Sequence, residues 1–137
     1  MYLLDTNVLS ELRRGPRADE NVRRWVSGIA ELQTYISVVS LMELEIGVRL
    51  KERTDPHQGA ILRQWLSTVR MRFANRTLDV DTAVASRCAQ LHVPDRRPAD
   101  DAYIAATALA HGLKVVTRNV ADFAPMGVPL LNPWEPS

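Results

Sequence analysis

The sequence predicts an α/β fold: a central, mostly parallel sheet flanked by helices on both faces. Three observations carry this reading. Apolar stretches around 2–4, 35–39, 114–117 and 128–131 are short, mostly rich in branched residues and bounded by polar or turn residues, which is the pattern of strands. Longer segments between them repeat apolar residues at helical spacing. Strands that alternate with helices build parallel sheets covered on both sides.

Taken in order, MYLLDTNVLSEL begins with a strand, Tyr2-Leu3-Leu4, that runs into Asp5 and then a helix. Over 18–32, Val22, Trp25, Val26, Ile29 and Leu32 form one helical stripe. TYISVVSLMELEIGVRL reads as a strand followed by a helix over 40–53, and Thr54-Asp55-Pro56 punctuates that helix and the next. The result is a helical hairpin over about 40–73, whose second arm carries Ile61, Leu62, Trp65, Leu66, Val69 and Phe73. Val84, Ala85, Cys88 and Leu91 mark a helix over 81–92. RPADDAYIAATALAHG starts a helix at Asp100-Asp101 and ends it at Gly112, after which Val115-Val116 opens a strand. No repeat, low-complexity tract or long linker interrupts the 137 residues, so 1–137 reads as a single domain.

Composition narrows the function classes. Hydrophobic residues at 46% and charged residues at 24% are an ordinary globular balance. No apolar run reaches the ~20 residues of a membrane span and no signal-peptide pattern leads the chain, so a soluble cytoplasmic protein is expected. The lone Cys88 excludes an internal disulfide and reads as a small buried hydrophobe. Net charge is only +1, although fifteen of the seventeen basic residues are arginine. Any nucleic acid must therefore be met by local clusters such as Arg13-Arg14-Arg17, Arg70-Met71-Arg72 or Arg96-Arg97, each by itself a solvated face. His57, His92 and His111 lack paired metal-ligand spacing, which argues against zinc. Nucleophile-elbow, P-loop and dinucleotide glycine patterns are absent. Trp25 and Trp65 sit in helical stripes and read as core or as a contact between subunits.

What stands out is acid at strand ends. Asp5 closes the first strand, Glu43 lies near the start of a helix, Asp100 and Asp101 open another, and Asn119 and Asp122 follow the strand that ends at Thr117. Taken singly, each acid is explained by helix capping; Ser40-Leu41-Met42-Glu43 matches a capping box. Periodicity moves the balance. Glu43 shares a helix face with Ile46, Gly47 and Leu50, whereas Glu45 faces Arg49 as an exposed pair. Asp101 lines up with Ile104, Ala105, Ala108 and Leu109. Both acids then point inward, toward the strand end that carries Asp5, where parallel sheets hold ligands. Two carboxylates ~4 Å apart repel by about 4 kcal/mol at intermediate dielectric. A hard cation such as Mg²⁺ or Mn²⁺ offsets this.

With these residues in place, the chain resembles PIN-domain proteins, specifically the VapC/FitB-type toxins of type II toxin–antitoxin pairs. LLDTNVLSEL looks like the first family motif, SLMELEIG the second, and DAYIAATALAHGLKVVTRNVADF the third and fourth; the closing NPW also fits. The resemblance implies a Rossmann-like PIN fold and a metal-dependent endoribonuclease that hydrolyses RNA phosphodiester bonds. By similarity, Asp5, Glu43 and Asp101 are the catalytic acids and ligands of Mg²⁺, with Mn²⁺ as a substitute. The family's fourth acidic position falls on Asn119, which ligates without adding charge, and Asp122 is the nearby candidate to compensate. Thr6, Thr117 and Arg118 are candidate contacts to water, phosphate or the RNA backbone. The implied partners are RNA, a cognate antitoxin whose tail occupies the groove and a second copy of the chain. Operator DNA is reached only indirectly, through the antitoxin. The 40–73 hairpin, with Trp65 and Phe73, is the expected antitoxin surface.

Two rivals remain. A receiver-type phosphoacceptor domain expects an acid pair after the first strand and a lysine ending a late one, but Thr6-Asn7 follows Asp5 and Lys114 begins its strand. A non-catalytic PIN-like partner, acting with its antitoxin on operator DNA, is kept alive by Asn119.

Overall fold

The computed structural model describes residues 1–136. Five short strands, β1 (Tyr2–Leu4), β2 (Thr34–Ser37), β3 (Thr77–Leu78), β4 (Lys114–Val116) and β5 (Leu130–Leu131), form one sheet in the order β3-β2-β1-β4-β5. Every pairing is parallel. The chain adds strands outward on one side of β1 and then crosses to the other, so the direction of winding reverses between β1 and β4. Open α/β sheets leave a crevice beyond the carboxyl ends of strands at such a reversal.

Alternating side chains divide the core in two. Leu3 and Val115 face one layer, with Val84, Ala105, Ile104 and Phe123; this layer is α5 (Thr82–Leu91), α6 (Ala99–His111) and α7 (Val120–Phe123). Leu4 and Val116 face the other, with Val8, Leu44, Val48, Leu66 and Phe73. That layer holds α1 (Thr6–Leu12) and the hairpin of α3 (Val38–Thr54) and α4 (Pro56–Arg72). The expected α/β architecture and hairpin are both present. Asp55 closes α3 and caps α4 by accepting a bond from the Gln58 amide, while Pro56 sits in the first turn of α4, where its missing N–H is harmless. Gly112 ends α6 at φ +67°, a left-handed position that glycine takes without steric penalty. Cys88 is buried in the α5–α6 layer, as expected. Among the described residues, no helix is long and apolar enough to cross a membrane.

Several expectations need correction. Val38 and Val39 belong to α3, not to the strand, because the Ser37 hydroxyl accepts a 3.0 Å bond from the Val39 amide and starts the helix there. A cap of this kind is worth about 1 kcal/mol and outweighs the strand preference of two valines. The capping box at Ser40–Glu43 is therefore absent, and Glu43 lies inside the helix. The 18–32 stripe is helical only as α2 (Glu20–Ser27), which Asp19 caps; Leu32 lies past its end and is 77% exposed. The Glu43 face of α3 is not a core face: Ile46 is 50% exposed and Leu50 62%, and the buried positions are Val39, Leu44 and Val48. Ile61 is likewise exposed. β3 went unpredicted because it has only two residues. It is placed by Arg76, whose buried guanidinium donates to the Thr34 and Arg72 carbonyls at 2.7 Å and stacks over Phe73.

The hairpin arms touch most closely at Gly59, where a Cβ would sit 2.6 Å from the Glu52 Cα. Backbone cannot yield as a side-chain tip can. Gly59→Ala should therefore open the α3–α4 contact and lower stability by about 1–3 kcal/mol, the usual range for overpacking. Chemical denaturation measures this, and an unchanged midpoint contradicts the close approach.

Candidate active site

Asp5 stands at the carboxyl end of β1, beside the end of β4, and is only 5% exposed. It both caps α1 and faces the crevice. Its Oδ1 accepts a bond from the Thr6 amide at 2.8 Å. Its Oδ2 accepts from the Thr117 hydroxyl at 2.8 Å and from Asn7 Nδ2 at 3.3 Å. Burial pushes its carboxyl above the ordinary range, although the Thr117 and Thr6 bonds pull it back. All these donors are neutral. Among the described residues, no lysine or arginine pairs with Asp5, Glu43 or Asp101.

Glu43 reaches the same cleft from α3. Its Oε1 accepts a 2.6 Å bond from the Thr6 hydroxyl, a short charge-assisted contact that joins residues 37 apart in sequence. Burial raises its carboxyl first; the Thr6 bond opposes this, and the charges of Asp100, Asp5 and Asp101 raise it further. Asp101 enters from the first turn of α6. The helix begins after Pro98 without a side-chain cap, so neither Asp100 nor Asp101 caps it. Asp101 is pushed up to about 6, by burial first and then by the charges of Asp5, Asp122 and Asp100. As expected, Ile104, Ala105 and Ala108 on its face are buried.

These three acids line one cleft of about 530 Å³ with Thr6, Asn7, Arg14, Arg118, Asn119 and Trp134. Thr117 lies beneath it, fully buried; its hydroxyl donates to Asp5 and accepts from the Asn119 amide and Asn7 Nδ2. That hydroxyl is committed to positioning Asp5, so it has no proton left for a substrate. Asn119 borders the cleft, whereas Asp122 is exposed on α7 outside the lining and reaches Asp101 only through its charge. Asn7 was not singled out from the sequence. Its signal was its place two residues after Asp5, where a first-turn amide can reach back to the capping carboxylate.

A divalent cation suits this donor set. The oxygens are hard, the carboxylates repel one another, and among the described residues no lysine or arginine forms an ion pair with them. Among the described residues, no three Asp, Glu, His or Cys side chains close tightly enough to hold an ion by direct bonds alone. An ion held here would have to keep part of its water, as Mg²⁺ characteristically does.

Comparison with known proteins identifies the family. The PIN domain pattern matches residues 2–125. Toxin FitB of Neisseria gonorrhoeae is 36% identical, the match covering 98% of this chain and 99% of that protein. VapC ribonuclease Y4jK of Sinorhizobium fredii is 33% identical over the full length of both. The structure of FitAB bound to the IR36 DNA fragment superposes with a TM-score of 0.87 at 32% identity, covering 100% of this chain and 98% of that one. Fold and sequence agree, and the chain belongs to the PIN-domain family, among relatives named toxin FitB and VapC ribonuclease.

Proposed function

We propose that this chain is the toxic component of a type II toxin–antitoxin pair, a single-domain cytoplasmic endoribonuclease that hydrolyses RNA phosphodiester bonds with Mg²⁺ or Mn²⁺. The observation that carries the reading is the gathering of Asp5, Glu43 and Asp101, from distant segments, in one cleft with no lysine or arginine paired to them among the described residues. Such an arrangement disfavours the charged acids, through burial first and mutual repulsion second, unless a cation offsets it. The relatives' names, a toxin and a VapC ribonuclease, support the activity.

Asp5 and Asp101 would hold the ion, and Glu43, oriented by Thr6, would hold its water shell. When bound, Mg²⁺ supplies positive charge for the phosphoryl oxygens and makes water a better nucleophile near neutral pH. Asn7 and Thr117 fix the Asp5 carboxylate from below. Asn119 adds an amide oxygen at the rim without charge, and Asp122 acts from a distance. Thr6 spends its hydroxyl proton on Glu43, which leaves Arg118 as the contact to the RNA backbone. The partner reading is a cognate antitoxin, a second copy of the chain and operator DNA met only through the antitoxin. An apolar hollow of about 470 Å³ beside the hairpin, lined by Trp25, Trp65, Val69 and Phe73, supports antitoxin docking there.

Incubation of the antitoxin-free chain with total RNA and Mg²⁺ or Mn²⁺ tests the activity. Cleavage should require the ion, stop with chelator and fall at least about 100-fold in Asp5→Asn, the scale of losing one preorganised electrostatic group. Thr117→Val, which removes one of the three donors to Asp5 together with the acceptor for Asn7 and the Asn119 amide, should lower ion affinity or rate by about 10–100-fold. The non-catalytic alternative, which Asn119 favours, predicts no ion-dependent cleavage in any of these.

The raised acids also set a pH dependence. Asp101 is raised on folding, so its proton stabilises the metal-free fold below its ordinary value of 3.8, and that contribution is lost as pH rises through about 6. Cation binding needs the ionised form. The rise in Tm produced by Mn²⁺ should therefore be small near pH 5 and grow toward about pH 7. Asp101→Asn should remove most of the pH dependence; a Mn²⁺ effect equal at both pH values contradicts the assignment.

A further inference from the structure

Beyond the acids, the cleft wall carries two arginines, and they are not equivalent. Arg14 is tied to Glu11 at 3.0 Å. Arg118 has no carboxylate partner among the described residues, and its guanidinium lies 5.3 Å over the ring of Trp134. The pair follows from the sheet: β4 and β5 run parallel with Val116 opposite Leu131, so Arg118 and Trp134 leave adjacent strand ends at the same edge. The main chain of Trp134 is pinned on both sides, its amide donating to Asn132 Oδ1 at 2.9 Å and its carbonyl accepting from Asn21 Nδ2 at 2.8 Å.

A flexible, unpaired arginine beside three uncompensated carboxylates has an obvious alternative: it can fold inward and pair with them. That would fill the acidic cleft with a protein cation and withdraw the arginine from the rim. An aromatic face attracts a guanidinium without neutralising it. We infer that Trp134 is a positioning residue that holds Arg118 at the rim of the cleft, keeping the acids open to a divalent cation and the guanidinium free for an RNA phosphate. The inference rests on the reading of the cleft as a cation site in a ribonuclease.

Mn²⁺ titration by calorimetry, with no RNA present, tests the first half. Trp134→Ala should weaken Mn²⁺ binding by about tenfold, because the guanidinium no longer held over the ring competes with the ion for the carboxylates. Trp134→Phe, which keeps an aromatic face, should recover much of it. The decisive variant is Arg118→Ala combined with Trp134→Ala: removing the competing guanidinium should restore Mn²⁺ affinity, which a merely packing role for Trp134 would not do. The second half is read from binding of a single-stranded RNA oligonucleotide to chains carrying Asp5→Asn. Arg118→Ala and Trp134→Ala should each lower the slope of log affinity against log salt by about 0.7, one phosphate contact, although only the first removes a charge. Unchanged Mn²⁺ affinity in Trp134→Ala, or no recovery in the double variant, overturns the inference even if RNA is cut normally. A variant series that behaves as expected toward Mn²⁺ in a chain that neither binds nor cuts RNA sustains the positioning role and rejects the ribonuclease. Failure of the parent chain to bind Mn²⁺ overturns both.

Discussion

The constraint on which the site depends is a carboxylate buried at the end of the central strand with no positive side chain to pair with it. Asp5 is fixed by the reversal of the sheet, since β1 and β4 must end side by side and Thr117 is thereby carried to within 2.8 Å of Asp5. Neutral donors from Thr6, Asn7 and Thr117 orient the charge but do not cancel it. Glu43 and Asp101 line the same cleft, and both are raised, by burial first and then by the charges of the neighbouring carboxylates. A fold that accumulates unfavourable charge at one point is organised for a ligand that removes it.

Much of this was legible in the sequence because the architecture depends on local signals. Short branched strands, the Asp55-Pro56 junction and Gly112 gave the alternation and the hairpin. Asp5 and Glu43 were legible because each follows a strand closely, where a parallel sheet puts its ligands, and Asp101 because it lies in the first turn of a helix. The reason given for Glu43 was only half right. Its helix carries two apolar stripes, and the one aligned with Glu43, through Ile46 and Leu50, faces solvent. Which stripe is buried is settled by how α4 and the sheet pack on α3, and periodicity within one helix cannot decide that.

Other parts were hidden for physical reasons of their own. The start of α3 depends on one hydroxyl, Ser37, overriding two β-branched residues that favour a strand. The Asn7–Asp5–Thr117 cluster joins residues 110 or more positions apart, and it exists only because β4 returns beside β1. The Arg118–Trp134 stack is of the same kind, two strand ends made neighbours by a parallel register. Sequence motifs therefore marked the acids themselves, whereas Asn7 and the part that Thr6 and Thr117 play in orienting those acids became visible only with the topology.

Manganese anomalous diffraction from crystals of the antitoxin-free chain tests the central claim most directly. The account predicts an anomalous peak in the cleft between Asp5 and Asp101, with Glu43 reaching it directly or through water. A cleft without manganese, its carboxylates hydrogen-bonded only to one another and to Thr6, Asn7 and Thr117, would contradict it.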